Sequence, residues 1–188
     1  FGLNDEFISA PRIDNLYSVF ASVEAFLELT QKGSDSADIS ILSVFDHEEI
    51  GSQTYVGADS NFGPAVYKRI VTALTPDAPS DIFETIIARS LLVSADMAHA
   101  LHPNFQGNHQ QNHRPIMNKG PVLKVNCNGR YTTDGVSGAV IKSVAKRHDV
   151  PLQEFIVHNE SPCGSTIGPL LASKLGCLSV DIGAPQLG

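Results

Sequence analysis

Asp14, Glu48, Glu49 and Asp96 stand in three short stretches of similar design, "PRIDN", "SVFDHEEIGSQ" and "SADMAHA". The second raises the sharpest question. An apolar run ends there on four consecutive ionisable side chains, Asp46, His47, Glu48 and Glu49. A solvated loop after a strand is the plain explanation of such a cluster. The context favours another, because "DISILSV" before the acids reads as an interior strand, and Ile50 and then Gly51 follow them. Acids at the C-terminal end of a buried strand stand where α/β folds place their chemistry. "SLLVSAD" repeats the pattern, ending on Asp96. Strands of one parallel sheet present their C-terminal ends at one edge, so these carboxylates can converge. Once together they repel one another unless metal ions or protons compensate. Hard oxygen ligands with histidine suit zinc, manganese or cobalt.

The paired glutamates permit a division of labour. Adjacent side chains of a regular strand point to opposite faces. At a strand end the chain can turn, with Gly51 easing the bend, and two neighbours then approach one centre from different sides. One is expected to ligate a metal. The other stays off it and takes a proton from water whose pKa the metal has lowered.

The elements that must position these residues alternate between helix and strand. Residues 12–31 carry Leu16, Val19, Phe20, Val23, Phe26 and Leu27 at helical spacing. Gly33 to Asp38 is a polar loop, and "ISILSVF" a strand buried on both faces. A helix is expected over 62–74 and, after "TPDAPS", another over 82–90 capped by Ser80 or Asp81. The stretch "HPNFQGNHQQNHRPIMNKG" is a long polar loop holding three of the seven histidines. "PVLKVN" reads as a strand, 134–148 as a helix, "LQEFIVHN" as a strand, "GSTIGPLLASKLG" as a small-residue helix closed by Gly176, and "CLSVDIGAP" as the last strand. The order predicts an α/β fold: a three-layer sandwich with a mostly parallel mixed central sheet flanked by helices. No internal repeat or low-complexity tract interrupts it.

At 188 residues, with 42% apolar and 18% charged side chains, the chain is long enough for one domain with a core. Its net charge of −7 argues against nucleic-acid or anionic-membrane partners. Cys127, Cys163 and Cys177 are well separated and form no CxxC, which points to a reducing compartment and away from a cysteine zinc site. No apolar run reaches the roughly 18 residues of a membrane span. The chain starts at Phe1 and stops at "APQLG" directly after an apolar strand, and both ends read as those of a piece of a longer protein.

The stretches "APRIDN", "FDHEEIGS", "SADMAHALHPN", "NHRP", "KGPVLKVN", "SPCGSTIGP" and "DIGAPQL" resemble the aspartyl aminopeptidase family of co-catalytic zinc metallopeptidases, in order and over essentially the whole chain. The resemblance implies two zinc ions per active site, with manganese or cobalt as substitutes. It implies Asp14 as the bridging ligand, Glu49 and Asp96 as further ligands, and Glu48 as general base; His47 is not implied as a ligand. Two metal-binding histidines of the family have no counterpart here. One lies upstream of an inserted dimerisation domain that lends a histidine to the neighbouring subunit, and the other lies just past "PQL". The implied organisation is that 1–188 is part of the catalytic domain and, taken alone, inactive. The upstream segment, the inserted domain and the C-terminal end would be absent from this chain. The parent protein would be a homo-oligomer, dimers building a dodecamer, in the cytoplasm or vacuole.

The implied substrate is a peptide with an N-terminal Asp or Glu, whose side chain needs a cation in a site lined by carboxylates. Lys124, on a strand that fixes its ammonium, is preferred over Lys119 on the loop. His99 is placed to hydrogen-bond the tetrahedral intermediate or to orient Asp96. His113, with Arg114, is a site candidate or a shaper of the loop, and "CGSTIG" either aims helix-start amides at the substrate or makes a tight turn. The rivals are a sister zinc aminopeptidase or deacylase of other specificity, and a non-catalytic scaffold or cargo homologue. The last has no reason to keep Glu48.

Overall fold

The computed structural model describes residues 1–33 and 36–187; Ser34 and Asp35, in the expected polar loop, and Gly188 lie outside the described residues. Among the described residues five α-helices run in the order α1 (Ile13–Lys32), α2 (Phe62–Leu74), α3 (Ile82–Ile87), α4 (Gly135–Arg147) and α5 (Ile167–Leu175). The strands among the described residues are β1 (Leu91–Ala95), β2 (Ala98–His99), β3 (Val122–Val125), β4 (Gln153–Ile156), β5 (Leu178–Gly183) and β6 (Pro185–Gln186). The main sheet has the order β1-β5-β3-β4. β1 pairs with β5 and β3 with β4 in parallel, while β3 and β5 are antiparallel, so the fold is mixed α/β with a mostly parallel sheet.

Local chemistry explains most of these elements. The Asp134 carboxylate accepts from the amides of Val136 and Ser137 while the Ser137 hydroxyl accepts from the Asp134 amide, a capping box that starts α4. Lys146 and Arg147 close the same helix at its negative end. Thr166 caps α5 by accepting from the Gly168 amide, and left-handed Gly176 ends it. Asp81 precedes α3, yet its side chain makes no capping bond, so the expected cap is one of position alone, and the helix stops at Ile87 rather than 90.

The core gathers where β3 crosses β4 and β5. Val122, Leu123, Val180 and Phe155 are almost fully buried there, with Tyr131 and Val157 beside them. Beyond β1 and β5 the two chains stay together: the Asp96 amide donates to Ile182 O at 3.1 Å and the Ala98 amide to Ala184 O at 2.8 Å, leading into the β2–β6 pair. Gly183 makes this passage possible, because a Cβ there would stand 2.0 Å from the Asp96 carbonyl oxygen.

One expected strand is not formed. Residues 39–45 pair with no strand, and Ile41 and Val44 are exposed. β1 is likewise open on its outer side, with Leu91 and Val93 exposed. The β-branched composition of 39–45 favours an extended backbone, but burial on both faces needs sheet neighbours, and none of the described residues supplies them.

Candidate active site

Each acid is delivered by the end of an element. Residues 39–45 run into a 3-10 turn, Glu48–Ile50, entered through left-handed His47 and left through Gly51 at φ 99, a conformation glycine adopts without strain. His47 Nδ1 sits 2.8 Å from Thr54 Oγ1, which ties the ring to the turn. The turn leaves Glu48 half-buried and Glu49 exposed. Asp96 follows the last residue of β1. Asp14 lies at the kinked start of α1, where it and Asn15 depart from helical geometry and the peptide between them is cis. The Asn15 amide nitrogen donates to the Ala95 carbonyl at 2.8 Å, fastening this turn to the strand end that carries Asp96.

The four carboxylates form one electrostatic group. Asp14 shares a hydrogen bond with Asp96, and its carboxyl is raised to about 6 by burial first, then by that bond and by the charges of Asp96 and Glu49. Glu48 is raised to about 7, again by burial first, then by Asp96, Glu49 and Asp14. Lys124 is the opposing positive charge on both. Two touching carboxylates need a shared proton or a cation between them, so the donor set suits a divalent metal. Among the described residues no three His, Cys, Asp or Glu side chains close around one point. Asp14 and Asp96 are in contact, whereas the exposed Glu49 acts on Asp14 through its charge.

Lys124 lies on β3 and is deeply buried. β3 is an interior strand, so the side chain is 1% exposed, and Nζ donates to Asp96 Oδ2 at 3.0 Å. The Tyr131 ring lies beneath the ammonium at 5.0 Å to its centroid. His99, on β2, stands beside this pair; burial, then Lys124 and His109, hold its pKa below the usual value, against the pull of Asp96. The two remaining candidates are elsewhere. His113 Nε2 is 3.6 Å from Glu154 Oε2 and its Nδ1 contacts Gln110, with no contact to the carboxylate group. Lys119 is exposed in the turn before β3.

Three supporting residues escaped sequence reasoning. Gln186 donates from Nε2 to Asp14 Oδ2 at 3.1 Å; its place in "DIGAPQL" was the available signal. Tyr131 carried none. Asp181 did: an acid in the middle of an apolar strand. It is fully buried, accepting from the Thr132 amide at 2.6 Å and the Thr166 hydroxyl at 2.8 Å. Burial pushes its carboxyl up and these bonds oppose it. The start of α5 is thereby committed to the interior, since the Gly168 amide serves the Thr166 hydroxyl that Asp181 holds.

The chain is similar to known proteins over essentially its whole length. An aspartyl aminopeptidase of Aspergillus oryzae is 43% identical over 199 residues, covering 99% of this chain and 40% of the relative. The crystal structure of prApe1 superposes with a TM-score of 0.94 at 34% identity, over 100% of this chain and 40% of that one. The mApe1 dodecamer of S. cerevisiae gives a TM-score of 0.88 at 32% identity, over 100% of this chain and 41% of that one. The chain therefore spans about 40% of the length of the curated relative. The model of the aminopeptidase I zinc metalloprotease family, M18, matches residues 1–188 from end to end, and the chain belongs to that family.

Proposed function

We propose that the protein to which this chain belongs is a zinc-dependent aminopeptidase that removes N-terminal Asp or Glu from peptides. The observation that carries the reading is the contact of Asp14 with Asp96, whose partner is the buried Lys124 ammonium, with Glu48 and Glu49 near enough for their charges to act on the same group. Asp14, Glu49 and Asp96 would hold the ions, two per site, with manganese or cobalt as substitutes. Zinc, when bound, supplies a Lewis acid that polarises the scissile carbonyl and lowers the pKa of water. Glu48 accepts the proton of the attacking water on its carboxylate and passes it to the leaving amine. Gln186 and Asn15 hold Asp14 in place, and Lys124 with Tyr131 holds Asp96.

An acidic substrate side chain entering this group is repelled unless a positive charge answers it. Lys124 is the cation that acts on Asp14 and Glu48, so it is assigned the acidic preference, offsetting Asp96 and the incoming carboxylate together. His99, on which the charges of both Lys124 and Asp96 act, is assigned to substrate binding. The oligomer is proposed to be a dodecamer built of dimers, with the mApe1 dodecamer as precedent, in the cytoplasm or vacuole. Among the described residues no helix is long and apolar enough to cross a membrane.

The test is a peptide panel on the full-length protein, with native mass spectrometry for its assembly. Release of N-terminal Asp and Glu, abolished by chelation and restored by zinc, is the expected result. Preferential release of Leu or Ala would reassign the enzyme to a sister specificity. Absence of release from zinc-loaded oligomer would make it a non-catalytic scaffold.

A further inference from the structure

Asp181 takes no part in the reaction proposed above, yet it is a fully buried carboxylate in the middle of β5. Its two oxygens grip two different loops. Oδ2 accepts from the Thr132 amide at 2.6 Å, in the segment that leads from β3 into α4. Oδ1 accepts from the Thr166 hydroxyl at 2.8 Å, at the end of the loop from β4 to α5. Both loops meet at one ring. Tyr131 precedes Thr132, and its hydroxyl accepts from the Cys163 thiol at 3.4 Å, three residues before Thr166. The first loop is stitched to β5 again by the Thr133 hydroxyl, which accepts from the Asp181 amide at 2.9 Å, and by the contact of the Thr132 hydroxyl with Ser179. The second loop reaches the first through the Ser165 hydroxyl, which donates to Arg130 O at 3.1 Å. Gly168 leaves room for the carboxylate, because a Cβ there would stand 2.7 Å from Oδ2.

We propose that Asp181 is a positioning residue for the acidic preference: by tying the loops of Tyr131 and Cys163 together, it holds the Tyr131 ring beneath the Lys124 ammonium. The inference rests on the assignment of that preference to Lys124. A carboxylate inside an apolar strand is costly to bury unless its oxygens are bonded. Here those bonds go to the two loops that fix the ring rather than to a neighbouring strand. The ring centroid lies 5.0 Å from Nζ, and a ring face attracts a cation only within about 6 Å. An outward shift of the loops on the order of 1 Å therefore releases the contact. Asp96, bonded to Nζ at 3.0 Å, then directs the ammonium alone and draws it away from an incoming acid. A role through charge runs the wrong way. Asp181 and Lys124 act on each other electrostatically, and a negative neighbour weakens the hold of Lys124 on an acidic side chain. The contribution is geometric.

Steady-state kinetics of the zinc-loaded full-length protein test this through one ratio, kcat/KM for N-terminal Asp over kcat/KM for N-terminal Leu. A loss of folded protein divides out of that ratio, so a merely structural role leaves it unmoved. Asp181→Ala is expected to lower it roughly tenfold or more, the scale of small misplacements at a site. Asp181→Asn is expected to keep it within about threefold. Its amide oxygen still accepts from the Thr132 amide, and its amide nitrogen donates to a turned Thr166 hydroxyl. Should the alanine variant not fold, Thr166→Val carries the test by removing the Oδ1 bond alone, with an expected fall of about threefold to tenfold. An unchanged ratio in the variant that folds overturns the proposal. So does a fall in Asp181→Asn as large as that in Asp181→Ala, which would place the effect in the charge. No preference for Asp in the wild type overturns the specificity reading and this inference with it, whereas a preference that Asp181→Ala leaves intact overturns this inference alone.

Discussion

Glu48 and Glu49 are neighbours in sequence with different surroundings, and that difference separates their roles. Glu48 is half-buried beside the Asp14–Asp96 pair, while Glu49 is exposed. Glu48→Gln in the full-length enzyme is expected to retain its zinc and lose about 10²–10⁴-fold in kcat, the usual contribution of a positioned general base. Metal loss in that variant, measured by mass spectrometry, would exchange the two roles. Lys124→Met keeps the buried stem and removes the charge. It is expected to cost roughly 2–5 kcal/mol in kcat/KM for N-terminal Asp, since an acid would face an unpaired buried carboxylate, and much less for N-terminal Leu. Equal losses on both peptides would confine Lys124 to holding Asp96. The acids were legible in the sequence because a carboxylate ending an apolar run has few structural uses. The partner of Lys124 was not, because sequence shows that a lysine sits on a strand and not whether that strand is interior.

At the scale of elements, two glycines in apparently similar buried settings should respond oppositely to alanine. Gly183 passes so close to the strand end of Asp96 that an added Cβ would lie 2.0 Å from the Asp96 carbonyl and 3.1 Å from the Ala98 amide. Both neighbours are backbone and cannot yield, so Gly183→Ala is expected to destabilise by about 1–3 kcal/mol or more and to lower activity by displacing Asp96. Gly138, inside α4, would place its Cβ 3.5 Å from Thr133 and 3.6 Å from Leu123, an ordinary contact. There alanine restricts the unfolded chain and improves helix propensity, a gain of up to about 1 kcal/mol. Denaturant melts of the two variants give the comparison. The helices were the legible part of the fold: α2 spans Phe62–Leu74 as its periodicity implies, and α4 and α5 begin at recognisable caps. The two-residue β2–β6 pair was too short to leave a pattern, and residues 39–45 carried a strand's composition without a strand's neighbours.

Across the whole molecule, surface area shows how much of this chain is built to be covered. Its accessible surface is 12335 Å². A compact monomer of 20.1 kDa should expose roughly 8,700 Å². The excess is on the scale of an obligate interface rather than a transient one. It includes large apolar side chains. Leu16, Phe20, Val23 and Leu27 make an exposed stripe along α1, and Leu91 and Val93 lie open on β1. The periodicity of α1 was read correctly from sequence, but periodicity identifies an apolar face without saying which molecule covers it. Judged against an unfolded chain of the same mass, folding removes under about 60% of the surface, where a domain of this size usually removes close to 70%. That shortfall weakens the main favourable term while the conformational entropy cost per residue stays the same. Expressed alone, residues 1–188 are therefore expected to bind a hydrophobic dye strongly, melt broadly and be cleaved by protease within 39–45. The full-length protein should do none of these under the same conditions. A sharp, dye-free thermal transition from the 188-residue chain would show that the stripe and the open edges are tolerated as solvent-facing surface, and that the excess area is not an interface.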